Sequence, residues 1–353
     1  MRLLRSPKII WLLAVVFLVL KVLFFMYLKL LAEGSLFGGG NDADYYHAYA
    51  LGITDVLVNL WPTILRFLNE IGLYNRDILS LVLFVISITF MPYLYYKIVK
   101  GKGDTITPVK SGSVLFILFY PAIFFFTVDV YRDVFMFFTL LLSLLLYKKI
   151  IETHWFRGGI YFLVFLSLTF ILFLMREYLG AALGLAPFFY YIFFKTKRYI
   201  KTWVFLYFIL LILAKVSGVI DPILLYRDLF VNRGSTLDIG LSNTNSIMFL
   251  VYYLYSIFTQ LFGFFLININ TVLVFILESV PFILAFIYVF KNIRFLTKFG
   301  SFLLVFFVFY TTIWALGNDN LGTAVRLRVP SYLAIFACMF IVYQEKVKFY
   351  FKN

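Results

Sequence analysis

The chain has 353 residues, 63% hydrophobic, 22% aromatic and only 14% charged, with a mean hydropathy of +0.98. A water-soluble domain is about half apolar and about a quarter charged, so that class is excluded. The formal charge of +14 would point a soluble protein towards nucleic acid, but in a chain this apolar it points to the Lys and Arg excess of cytoplasmic loops, and no nucleic acid is expected as a partner.

From the N-terminus, Arg2, Arg5 and Lys8 precede an apolar run at 9–31. The run is longer than a signal-peptide core and lacks a small-residue cleavage site, so it reads as a retained span. Further runs long enough to cross lie at 77–96, 113–128, 134–147, 159–175, 178–194, 202–220, 271–290, 299–316 and 330–344. The expected fold is an all-α polytopic membrane protein of about ten transmembrane helices, a single integral membrane domain over 1–353, with 32–76 as its first outer loop. The segment 247–270 is apolar enough to span, but Tyr252, Tyr253 and Tyr255 suit a membrane–water boundary. If it lies on the outer side as an interfacial or re-entrant helix, every basic loop and both termini face the cytoplasm.

With that topology the outer segments carry Arg66, Arg76, Arg132, Arg176, Arg227, Arg233, Arg326 and Arg328, and their loops hold no lysine. A planar fork is preferred where phosphate or carboxylate is gripped bidentately. The ligand is either a phosphate or the acidic residues of the same face. The lone Cys338 offers neither a disulfide nor a thiolate metal site, and no metal or cofactor is expected.

Four outer constellations follow in order. Gly38–Gly40 lead into Asn41, Asp42, Asp44 and His47, where Asn41 or Asp42 serves as a helix cap while Asp44 and His47, three apart, share a helix face. A carboxylate beside an imidazole can take a proton from a sugar hydroxyl. Asp129, Arg132 and Asp133 on one helical face would either close a hairpin or hold a lipid phosphate. Arg176 and Glu177 are adjacent and point apart, so they are not simply each other's partner. Finally, Gly322 to Pro330 reads as an extended loop that points Arg326 and Arg328 to one side as a pyrophosphate clamp, with Pro330 opening the last span. Within spans, Glu278 marks a polar cavity or is a protonated acid bonded to a neighbour, and Lys21 lies similarly deep.

The acid-aromatic-alanine stretch Asp42 to Ala50, the Arg132-Asp133 step and the late Gly322-Thr323-x-x-Arg326-x-Arg328-x-Pro330 resemble bacterial membrane glycosyltransferases of the GT-C type. Similar features occur in the Wzy-type repeat-unit polymerases of O-antigen and capsule gene clusters. The resemblance implies chemistry at the outer face of the cytoplasmic membrane, with an undecaprenyl-linked glycan donor and acceptor. A chain-length regulator or other polysaccharide-assembly proteins would be partners, beside membrane lipid. It implies Asp44 or Asp42 as general base, with Arg326 and Arg328 holding the departing phosphate and Arg132 and Arg176 assisting. The alternatives are a transferase adding a single sugar from a polyprenyl-phosphate donor, and a lipid-linked oligosaccharide flippase. The latter would show internal repeats and more charge deep in its helices.

Overall fold

A computed structural model describes residues 7–30, 41–101, 106–153, 155–194, 200–229, 236–242 and 244–352. The described residues are helical apart from loops and one isolated bridge between Thr236 and Asn320. The chain divides into two compact units. Unit 1 comprises Met1–Ala181, Arg294–Phe299 and Phe340–Asn353, and unit 2 comprises Ala182–Ile293 and Gly300–Met339.

In chain order the helices are α1 (Pro7–Leu30), α2 (Asn41–Ala50), α3 (Leu60–Glu70), α4 (Arg76–Val85), α5 (Met91–Val99), α6 (Thr107–Phe119), α7 (Pro121–Phe125), α8 (Arg132–Glu152), α9 (Trp155–Met175) and α10 (Glu177–Phe194). They continue as α11 (Ile200–Val216), α12 (Asp221–Asp228), α13 (Ser246–Phe262), α14 (Ile269–Val274), α15 (Val280–Lys291), α16 (Lys298–Gly317) and α17 (Leu321–Lys352). Among the described residues seven helical stretches are long and apolar enough to cross a membrane, and an eighth counts if the bent pair α11–α12 is one span. This establishes a helical, multi-pass membrane protein.

Breaks in the apolar runs have local causes. The run at 113–128 divides at Pro121, which has no N–H to continue the ladder from α6 and instead opens the short α7. The run at 202–220 ends where Gly218 takes φ +75°, and α12 leaves at 76° to α11. Two spans contain a π-turn just before a proline: Ile86–Phe90 ahead of Pro92, and Phe275–Ser279 ahead of Pro281. The Met91 N–H reaches back to Ile86 O and the Val280 N–H to Phe275 O, so one widened turn absorbs the defect without ending the helix.

In unit 1, charged ends hold the helices together. Lys148 Nζ, near the end of α8, donates to Lys97 O and Ile98 O, each at 2.9 Å, and to Lys100 O, occupying the orphan carbonyls of α5. At the opposite ends of the helices, Lys29 of α1 pairs with Asp77 of α4 at 3.0 Å. Lys21 does not reach towards a surface; it is buried, with Nζ 5.0 Å from the Phe124 ring.

In unit 2, α13 is polar inside and apolar outside. Phe249, Tyr253, Ser256 and Gln260 form its buried stripe at helical spacing, while Ile247, Val251, Leu254 and Phe258 face outward. That stripe receives Arg227, which is fully buried. Its guanidinium donates to Asp319 Oδ1, to Ala315 O at 2.8 Å and to Ser256 Oγ at 3.1 Å, while Asp319 Oδ2 accepts from the Asp238 N–H at 2.9 Å. Gln260 completes the network by donating to Ser256 Oγ at 2.7 Å and Asn318 O at 2.9 Å. Every charge here has several partners, which is what allows a buried pair to persist. Removing one partner strands the other. Asp319→Ala is expected to destabilise the folded chain in detergent by about 3–5 kcal/mol, whereas replacing Arg227 and Asp319 together by Met and Leu should recover most of the loss, as read from unfolding midpoints.

Candidate functional site

The described part of the first loop is built on two helices, and the first of them, α2, carries both expected acids, Asp42 and Asp44. The Asn59 side chain caps α3 by accepting from Trp61 N at 3.0 Å, and Trp61 Nε1 donates to Val130 O at 2.8 Å. Arg66 of α3 donates to Tyr49 O at 3.0 Å, Thr54 O at 2.9 Å and Asp55 at 2.9 Å, and lies 4.0 Å above the Tyr49 ring, which fastens α2 to α3. Gly38–Gly40 lie outside the described residues.

Arg76 is the centre of the first cluster. It is the first residue of α4, behind Asn75, whose side chain accepts from Asp77 N and Ile78 N. Its Nε and Nη2 grip Asp129 at 2.9 and 2.6 Å, and Nη2 also donates to Asp44 Oδ1 at 2.7 Å. One fork therefore holds two carboxylates, the arrangement for which guanidinium geometry is suited. Asp44 keeps 61% of its side chain exposed. His47 is not Asp44's partner as expected: its Nδ1 lies 2.9 Å from Tyr74 OH. Burial, opposed by the nearby Arg76, pushes the Tyr74 phenol up to about 12, so it remains a hydroxyl.

Asp129, Arg132 and Asp133 do not share a helical face. Asp129 lies in the turn before α8, and the three residues take three different partners. Asp129 goes to Arg76; Arg132 Nη1 donates to Met175 O at 3.0 Å, the end of α9; Asp133 faces Arg176 at 3.9 Å. Arg176 is buried between Asp133 and the Tyr178 ring, and Glu177 opens α10 separately. Buried Tyr46 ties this second cluster to α2. Burial raises its phenol, and the charges of Arg132, Asp133 and Asp42 act on it beside the Asn59 side chain, so these residues occupy one neighbourhood.

The expected clamp of Arg326 and Arg328 does not form. Residues 321–352 are helical, and Pro330 lies inside α17 instead of opening a span. Two residues apart on a helix, the arginines point about 200° apart. Arg328 is committed to Glu278 at 3.0 Å and Ser279 Oγ at 3.1 Å, both on the π-turn of unit 2. Glu278 is therefore an ion-pair partner. Tyr332 stacks on Phe282 at 3.9 Å and donates to Leu261 O at 2.7 Å beside this pair. Gly263, at φ +72°, is required here, because a Cβ would come within 2.7 Å of the Arg328 guanidinium. Arg233 lies outside the described residues.

Sequence spacing misses Arg76, Tyr74 and Asn59. Beyond its membership of the outer arginines, Arg76 is marked by its place immediately after a capping Asn at the mouth of a span, and its partner Asp129 lies 53 positions away. Among the described residues no group of three or more His, Cys, Asp or Glu is placed to hold a metal ion. Compared with protein-family models, curated proteins and solved structures, the chain matches none of them.

The Arg76–Asp129 contact carries a pH dependence. Burial pushes the Asp129 carboxyl up, but Arg76 and the Val130 N–H, 2.8 Å from Oδ1, more than reverse this and leave it below its ordinary value. A carboxyl lowered in the folded state contributes stability that is complete above the unfolded pKa of about 3.9 and is lost as pH falls through the lowered value. Asp129→Asn is expected to cost roughly 1.5–3 kcal/mol at pH 7, a charge-assisted hydrogen bond's worth. The difference from the parent chain should shrink below about pH 4, measured by chemical unfolding across the pH range.

Proposed function

We propose that this chain is a membrane glycosyltransferase that joins undecaprenyl-linked saccharides at the outer face of a bacterial cytoplasmic membrane, with polymerisation of oligosaccharide repeat units as its reaction. One arrangement carries the reading. At the end of unit 1 that the charge pattern assigns to the outside, α2 presents Asp42, Asp44 and His47 next to Arg76, Asp129, Arg132 and Arg176. An exposed carboxylate held at a membrane surface among guanidiniums suits transfer between a hydroxyl and a lipid-linked phosphate.

In this reading the protein has ten spans: the seven long helices, the bent α11–α12, α6 with α7, and α10. Helix α13 lies along the outer surface and both termini face the cytoplasm. Asp44, held by Arg76, takes the proton of the acceptor hydroxyl as that oxygen bonds to the anomeric carbon of the donor. The bond from that carbon to the phosphate oxygen breaks, and the polyprenyl diphosphate leaves as an anion, with the half-exposed Arg132 as its nearest cation in this assignment. Arg326 and Arg328, on unit 2, are left out of it.

The test is transfer by the purified full-length chain in lipid nanodiscs supplied with an undecaprenyl diphosphate-linked oligosaccharide. A ladder of products on a gel is the expected outcome. Extension by one sugar from a polyprenyl phosphate sugar would replace the polymerase by the single-sugar transferase, and no transfer from either donor would overturn the reading. Asp44→Asn should lower the rate by roughly 10²-fold or more, the usual contribution of a positioned base.

A further inference from the structure

Asp133 is buried to 1% exposure, yet its charge is poorly compensated. Its nearest cation, Arg176, stands 3.9 Å away, beyond hydrogen-bond distance, and Oδ1 receives no hydrogen bond among the described residues. As the second residue of α8, whose N-cap Tyr131 makes no side-chain cap bond, an acid here is favoured by the helix dipole. The dipole accounts for an acid at this position but not for its burial, since an exposed carboxylate would interact as well. A buried acceptor without a donor is costly and rare, and sites of function are where such cost is tolerated.

The surroundings select what would satisfy it. An anion would meet the Asp133 carboxylate itself. A metal cation would face Arg176, 3.9 Å from the carboxylate, and no group of three acids or histidines to hold it is found among the described residues. A neutral hydroxyl fits: its hydrogen can go to Oδ1, and its oxygen can accept from a guanidinium or from the Asn59 carboxamide in the same neighbourhood. Asp42 and Arg132, both half-exposed, act with Asp133 on the same Tyr46, and Asp42 shares α2 with the exposed Asp44. We infer that Asp133 binds a hydroxyl group of a neutral saccharide and seats that sugar beside the acids of α2. Asp133 is a substrate-positioning residue, and the inference rests on the glycosyltransferase reading for the identity of the sugar as substrate.

Two measurements on the full-length chain in detergent test it. In thermal unfolding, millimolar glucose, galactose or N-acetylglucosamine should raise the midpoint of the parent chain, while inorganic phosphate or Mg²⁺ should not. Asp133→Asn, which keeps the shape and removes the charge, should lose the sugar response; Asp133→Ser serves if the carboxamide impairs folding. A midpoint raised by no neutral sugar, or raised equally in Asp133→Asn, overturns the assignment. In the transfer assay Asp133→Asn should raise KM for the saccharide at least tenfold with a smaller fall in kcat, the reverse of Asp44→Asn. Sugar binding without any transfer would remove the glycosyltransferase reading and keep Asp133 as a saccharide site. Transfer with an unchanged KM in Asp133→Asn would remove the Asp133 assignment alone.

Discussion

Where apolar side chains fill the surroundings, a guanidinium finds no water and must be met by a carboxylate or a carbonyl of the chain. The buried Arg227 meets that requirement in full, and Arg66 and Arg76, 25% and 29% exposed, meet it in part. Arg66 spans two carbonyls and an acid, Arg76 spans two acids, and Arg227 spans an acid, a hydroxyl and a carbonyl. Each ties together segments far apart in sequence, and each uses more than one arm of the fork. An ammonium has three donors at a single point and cannot span such sets. The absence of lysine from these loops is therefore accounted for in large part by the chain's own architecture. Gripping of phosphate is needed to explain fewer positions than the composition alone implies.

The same requirement explains how α2 stays in place. Ten residues with four tyrosine, histidine and aspartate side chains in succession have little tendency to hold a helix alone. Ala43 and Tyr46 are buried, the Tyr49 ring supports Arg66, and Asp44 meets Arg76. The acids are presented by tertiary contacts made from α3 and α4. Any change in Arg76 acts on Asp44 through position as well as charge.

How much of this was legible in the sequence depends on range. Runs of about twenty apolar residues reported the long helices, because a span needs length and little else. Asp42, Asp44 and His47 were correctly placed on one short helix, since caps and i, i+3 spacing are local. Pairings such as Arg76 with Asp129 leave no local trace. The last loop departs from the extended expectation for a reason that is local. Pro330 suggests a helix start, but Asn320 is the residue that caps, accepting from Thr323 N at 2.8 Å. Starting the helix at Leu321 turns an aligned pair of arginines into residues on opposite faces, and Arg328 then finds Glu278 inside the unit.

Two buried acids show the difference between fold and function in this chain. Asp319 receives a guanidinium on one oxygen and a backbone N–H on the other, and the residues around it bond to each other as well. Nothing is missing, so its role is complete within the folded chain. Asp133 is equally buried but has one remote cation and an oxygen without a donor. Both are buried acids at or beside the start of a helix, so neither charge nor depth separates them. What separates them is satisfaction: the chain meets both oxygens of Asp319, and it leaves Oδ1 of Asp133 for the partner proposed above. The Arg227–Asp319 network of unit 2 is framework in that sense, its charges being met within the chain.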